Sequence, residues 1–196
     1  DGLQWLMSLT DTDMSGILAD DMGLGKTIQS IMLLKNMYQK KQPPTIIIMP
    51  KTLLFNWEKE LQTFAPELKI LRYDGPKRNL LIPEFNDYQI ILCSYTSVRI
   101  DFKKLKDIQF KLMILDEAQY VKNHTTNTFK AIKKITSEKQ LLLTGTPLEN
   151  SISDLWSLMD IANDNYFGAY KPFEEFYSDP VNQPLLKAAI QPFMLR

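Results

Sequence analysis

Six short apolar runs, at residues 17–19, 45–49, 69–72, 89–94, 112–115 and 140–144, set the strongest limit on how this chain can fold. Several of them, such as Ile46-Ile47-Ile48-Met49 and Leu112-Met113-Ile114-Leu115, are apolar at every position. A strand with one wet face alternates between apolar and polar, whereas a continuously apolar strand must be covered on both faces. Longer stretches with helical periodicity lie between the runs. Residues 26–37 carry Ile28, Ile31, Met32 and Leu34 around a helix with an apolar inner face. Residues 52–63 repeat Leu53, Trp57 and Leu61 at every fourth position, and residues 125–135 set Phe129, Ile132 and Ile135 against outward Lys130, Lys133 and Lys134. Pro43-Pro44 and Asp74-Gly75-Pro76 are turn signals. Strand and helix in alternation dictate an α/β fold with a mainly parallel sheet and right-handed crossovers. From about residue 154 only helical patterns remain, at 154–161, 173–176 and 184–191, so helices are expected to close the domain.

The length of 196 residues suits one domain, which would bury about 70% of the surface its unfolded chain exposes. Lys and Arg number 23, as do Asp and Glu, so the chain lacks a net basic field. Any nucleic-acid contact must come from a local patch. The single cysteine, Cys93, excludes an internal disulfide framework and fits a reducing compartment. With one histidine besides, a structural zinc site has too few ligands. The apolar runs are too short to cross a bilayer and no signal-peptide pattern opens the chain. An intracellular protein without a membrane partner is expected, in the cytoplasm or nucleoid of a prokaryote or the nucleus of a eukaryote.

The run Ala19-Asp20-Asp21-Met22-Gly23-Leu24-Gly25-Lys26-Thr27 follows a strand and opens a helix. That context suits a phosphate loop. Glycines let successive backbone N–H groups converge on an anion, and the helix N-terminus adds partial positive charge. Asp21, Met22, Gly23, Leu24, Gly25, Lys26, Thr27 and Ile28 are the expected nucleotide contacts. Lys26 would meet the β- and γ-phosphates and Thr27 would ligate Mg²⁺. Asp20 stands where the general pattern has glycine. The second half of the site is Leu112-Met113-Ile114-Leu115-Asp116-Glu117, which ends a buried strand in two carboxylates. Ligands of α/β sheets bind at that edge. Asp116 would hold Mg²⁺ and Glu117 would polarise the attacking water. A glycine-rich turn, or a solvated strand end, explains either segment alone; together they point to ATP and Mg²⁺.

At these residues the sequence resembles a known family. Asp116-Glu117-Ala118-Gln119 is similar to the DEAD/DEAH box of superfamily 2 helicases. ADDMGLGKT, LDEAQYVKN and LLLTGTPLEN, in that order, resemble the first lobe of Swi/Snf-type DNA translocases, and PFMLR resembles the segment that ends it. The resemblance runs from Leu3 to Arg196. It implies one N-terminal RecA-like lobe over residues 1–196, a three-layer α/β/α fold, with a second RecA-like lobe of the same protein as partner. It also implies that the stretch from Ile46 to Trp57, including Lys51 and Thr52, is a DNA-facing motif. Ser94-Tyr95-Thr96 is similar to another, and Lys122 joins them if it shares their face. Gln119, Thr144, Gly145 and Thr146 would couple the nucleotide site to DNA and to the second lobe. Gln119 stands where many relatives have His, and its amide can serve the same interlobe bond. The family tracks double-stranded DNA along its backbone; DNA-bound proteins or RNA polymerase would be further partners. Its arginine fingers sit in the second lobe, so the chain by itself should bind nucleotide weakly and hydrolyse it hardly at all.

The remaining residues read plainly. His124 sits in a polar stretch and is expected in a solvated loop; Cys93, Trp57 and Trp156 are expected in the core. The clusters Lys103-Lys104-Lys106 and Lys130-Lys133-Lys134 are expected to be wetted helix faces. Two other functions remain open: a small P-loop phosphotransferase, or a nucleotide-binding module without catalysis. The four arginines are dispersed rather than gathered in a lid, which counts against the first. Intact Lys26, Thr27, Asp116 and Glu117 count against the second. The chain opens inside a helical pattern and stops at Phe193-Met194-Leu195-Arg196, so a domain from a longer protein is expected. The DEAQ variant and the lack of a long insertion point to a prokaryotic source.

Overall fold

The structure, a computed structural model, describes residues 2–10, 15–19, 25–38, 42–145 and 151–195. Its centre is a seven-stranded sheet. The strands are β1 (Gly16–Leu18), β2 (Thr45–Met49), β3 (Ile70–Tyr73), β4 (Ile90–Ser94), β5 (Gln109–Leu115), β6 (Thr136–Leu143) and β7 (Met194–Leu195). They lie in the order β3-β4-β2-β5-β6-β1-β7, and every neighbouring pair is parallel.

The side-chain period of two divides each apolar strand between two cores. Ile47, Met49, Leu92 and Ile114 face one side, where they meet α1 (Gly2–Thr10), α2 (Lys26–Met37) and α3 (Leu54–Phe64) through Leu6, Ile31, Leu34, Trp57 and Leu61. Ile46, Ile48, Cys93, Met113 and Leu115 face the other. There they pack on α4 (Tyr95–Leu105), α5 (Asn127–Ile132) and α6 (Ile152–Ala162) through Val98, Leu105, Phe129, Ile132 and Leu158. Helices α7 (Tyr170–Tyr177) and α8 (Gln183–Ile190) extend that second layer. The expected three-layer α/β/α architecture is what the chain forms.

Several boundaries differ from expectation. β5 starts at Gln109 rather than 112, and β6 at Thr136 rather than 140. The added segments pair with one another, Gln109 opposite Thr136 and Phe110 opposite Ser137, and Lys111 reaches Glu138 at 2.6 Å. Apart from Phe110 these ends carry polar side chains, so the ladder extends without a continuous apolar signature. Helix α5 is shorter than 125–135: the Thr126 hydroxyl accepts the Phe129 N–H and caps it. The closing segment is not helix only. Met194 and Leu195 form β7 against β1, and the Ala19 N–H donates to the Leu195 carbonyl at 2.8 Å.

Two expectations about single residues are corrected. His124 is half buried, its ring 4.4 Å from that of Tyr170 and 5.3 Å from that of Trp156. The aromatic side chains of α6 and α7 pack over its loop, which the polar sequence around it does not reveal. Lys133 does not simply face water. It binds Asp160 at 3.0 Å and also pairs with Asp164, tying α5 to the end of α6. Cys93 is buried as expected, and burial pushes its thiol well above the usual range. No helix among the described residues is long and apolar enough to cross a membrane.

Candidate functional site

All described strands being parallel, their C-terminal ends share one edge, where Ala19, Pro50, Tyr95, Asp116 and Thr144 follow β1, β2, β4, β5 and β6. Helix α2 begins at that edge. Its N-cap, Gly25, has φ 77° and ψ 27°, a left-handed conformation that strains any residue with a Cβ. The second glycine of the GLGKT run is therefore required by backbone geometry. Asp21, Met22, Gly23 and Leu24, four of the expected nucleotide contacts, lie outside the described residues. Gly25, Lys26, Thr27 and Ile28 line a cavity of about 380 Å³ together with Asp116 and Glu117.

The two acids differ in surroundings. Asp116 is buried at 9% exposure. Its Oδ2 accepts the Trp57 indole N–H at 2.7 Å and its Oδ1 accepts the Glu117 backbone N–H at 2.9 Å. Burial raises the Asp116 carboxyl above the usual carboxylate range, and those two hydrogen bonds oppose the rise. Glu117 is more accessible and has φ 51° and ψ 53°, left-handed for a residue with a side chain. Such strain costs about 1–3 kcal/mol and concentrates at functional positions. Gln119 Nε2 donates to Glu117 Oε2 at 2.6 Å, and Gln119 Oε1 accepts the Thr144 hydroxyl at 3.3 Å. A hydrogen-bonded chain thus runs from the end of β6 to the acid after β5. Gly145 follows directly, and Thr146 lies outside the described residues.

A second depression opens along the same edge. Lys51, Thr52, Ser94 and Tyr95 line a groove of about 250 Å³ with Arg99 and Tyr120. Ser94 is buried and caps α4, its Oγ accepting the Ser97 N–H at 3.1 Å. Tyr95 is buried too: its hydroxyl donates to the Asp116 carbonyl at 2.8 Å, and its ring stacks on the exposed Tyr120. Burial raises the Tyr95 hydroxyl well above its ordinary range, so it remains a donor. Lys51 faces Asp74 at 3.4 Å. Lys122 does not line this groove; it pairs with Asp154 at 3.0 Å.

Comparison with known proteins assigns the family. A model described as the SNF2-related domain matches residues 1–196. The chain belongs to the SNF2-related family. An uncharacterised ATP-dependent helicase of Mycoplasma genitalium is 40% identical over 203 residues, covering all of this chain and 20% of that protein. A putative ATP-dependent helicase/translocase of Bacillus subtilis is 35% identical over 207 residues, again covering the whole chain and 22% of the relative. The SWI2/SNF2 ATPase core of Sulfolobus solfataricus, solved in complex with double-stranded DNA, superimposes with a TM-score of 0.91 at 37% identity. That match covers 100% of this chain and 42% of the Sulfolobus one. The chain thus spans about a fifth of these two curated relatives.

Within this SNF2-related lobe, sequence reasoning missed a contribution from α3. The resemblance placed the stretch ending at Trp57 on the DNA side. Asn56, Trp57 and Glu60 also line the cavity of Lys26 and Asp116. The available signal was the indole itself, since a buried Trp N–H needs an acceptor. Burial, and then the charge of Asp116, raise the Glu60 carboxyl above its ordinary value.

Proposed function

We propose that this chain is the ATP-binding lobe of an ATP-dependent double-stranded DNA translocase. One observation carries the reading: Lys26 and Thr27, at the start of α2, share one cavity with Asp116 and Glu117 at the end of β5. The relatives named as ATP-dependent helicases and the DNA-bound Sulfolobus core support it.

The N-terminus of α2 and the Lys26 ammonium bind the phosphates, which are multiply anionic. The Thr27 hydroxyl and the Asp116 carboxylate would hold Mg²⁺. Among the described residues neither His nor Cys lines the cavity, and an all-oxygen donor set suits a hard cation. Bound there, Mg²⁺ would neutralise phosphate charge as a Lewis acid. Glu117 orients the attacking water and takes its proton. Gln119 holds the Glu117 carboxylate, and Thr144 ties Gln119 to the end of β6. A displacement at 144–145, where a second RecA-like lobe would engage, therefore reaches the acid through two hydrogen bonds. No described arginine lines the cavity, which supports a requirement for arginines from that second lobe. Such groups contribute about 10³–10⁵ in turnover in related systems.

The test is steady-state ATP hydrolysis and ATP binding by this chain, with and without double-stranded DNA. We expect binding that Lys26→Ala removes, and no turnover in either condition. Robust turnover would show a complete active site in one lobe. In a two-lobe protein carrying this sequence, turnover indifferent to DNA would sink the translocase reading.

The groove of Lys51, Thr52 and Arg99 is our proposed meeting point with the DNA backbone. With about 3–5 phosphates neutralised, affinity for a duplex should fall roughly 40- to 500-fold between 50 and 200 mM salt. Fluorescence anisotropy across that range measures the slope; a flat response would rule out a phosphate-tracking role.

A further inference from the structure

The Trp57–Asp116 hydrogen bond spans 2.7 Å in a buried setting, and the second Asp116 oxygen is held by the Glu117 N–H at 2.9 Å. Both oxygens of the carboxylate are thereby anchored, and its rotamer is fixed from the α3 side. One turn further along α3, Glu60 faces the same cavity with its Oε2 buried and without a hydrogen-bond partner. A buried carboxylate oxygen with no partner destabilises the fold that holds it. An ionised carboxylate only accepts, so whatever satisfies Glu60 must present a donor. A phosphate oxygen cannot, and its charge is of the wrong sign. A water polarised by a cation can.

We propose that Trp57 and Glu60 make α3 a working part of the metal–nucleotide site. Trp57 positions the Asp116 carboxylate, and Glu60 accepts a hydrogen bond from a water in the Mg²⁺ shell. This rests on the Mg·ATP reading given above. Among the described residues no three His, Cys, Asp or Glu cluster closely enough to hold a metal directly. An outer-shell role for Glu60 agrees with that spacing and with the reluctance of Mg²⁺ to shed its waters. Neither residue touches the reacting phosphate; both are positioning residues.

The experiment compares ATP affinity of this chain with Mg²⁺ and with EDTA, by calorimetry, for the wild type, Trp57→Phe, Glu60→Met and, as a control, Lys26→Ala. The wild type should gain affinity from Mg²⁺. Each α3 variant should lose about 10- to 100-fold of that gain while keeping the wild-type affinity in EDTA. Glu60→Met should also raise the midpoint of thermal unfolding without nucleotide by about 2–4 °C, because it removes the unpartnered acceptor. Glu60 is partly exposed, so its variant reports even where Trp57→Phe folds poorly. A full Mg²⁺ gain in Glu60→Met overturns the proposal. So does an affinity loss of equal size with Mg²⁺ and with EDTA, which would put Glu60 on the nucleotide itself. Absence of any Lys26-dependent ATP binding by the wild type removes the underlying nucleotide reading instead.

Discussion

Exchanging Glu117 for Gln should lower ATP turnover about 10²–10⁴-fold, the usual contribution of a general base, in a motor carrying this lobe. The two side chains have the same shape, so the left-handed backbone at φ 51° and the bond to Gln119 are equally available. What the amide lacks is the capacity to take the proton from the attacking water. Binding should survive, because on the proposed reading the charge at the phosphates would come from Lys26 and the N-terminus of α2. Single-turnover hydrolysis alongside equilibrium binding separates these effects. Unchanged turnover would take Glu117 out of its proposed role. Weakened binding with normal turnover would make the acid a nucleotide ligand.

Arg78→Met should cost about 3–5 kcal/mol of stability, the penalty for leaving one member of a buried pair alone. Asp101, on α4, is 6% exposed, and Arg78 Nε reaches its Oδ2 at 2.6 Å. The Tyr73 hydroxyl also lies 3.0 Å from that oxygen, but it is 2.7 Å from Asn79 Oδ1 as well. One proton cannot serve both acceptors at once, so Tyr73 does not replace the guanidinium. Burial, followed by the nearby Asp101 charge, pushes the Tyr73 hydroxyl well up, which keeps it a donor rather than a second anion. Arg78 also donates to the Gly75 carbonyl at 3.0 Å, pinning the turn after β3. Urea unfolding of the variant reads the loss directly. A cost below about 1 kcal/mol, the level of an exposed pair, would mean that water reaches Asp101.

The sequence carried the central sheet because the strands are apolar on both faces, and Ile46 to Met49 could be nothing else in a chain of this composition. It carried the start of α2 because Gly25 and Lys26 mark a strand-to-helix turn with its own chemistry. Features built from distant partners were not legible. Thr136 to Lys139 look like a loop until β5 lies beside them, and Met194-Leu195 look like a helix end until β1 is in place. Trp57 reads correctly as core, yet its acceptor stands 59 residues away. His124 reads as solvated because its aromatic cover comes from α6 and α7.

The strand order also fixes a timetable. β1 is the first strand of the chain, yet its neighbours are β6 and β7. Ser15, just before β1, finds its partner Gln140 only 125 residues later. As the chain leaves the ribosome, β2 to β5 can assemble while Ile17 and Leu18 still have no place in a sheet. Closing so distant a contact is slow, and an apolar strand kept waiting is open to wrong pairings. β1 thus takes its place in the sheet only after β6 has been made. On the proposed nucleotide reading, binding would then report that β6 is in place, because a chain lacking β6 would leave β1 without its neighbour in the sheet.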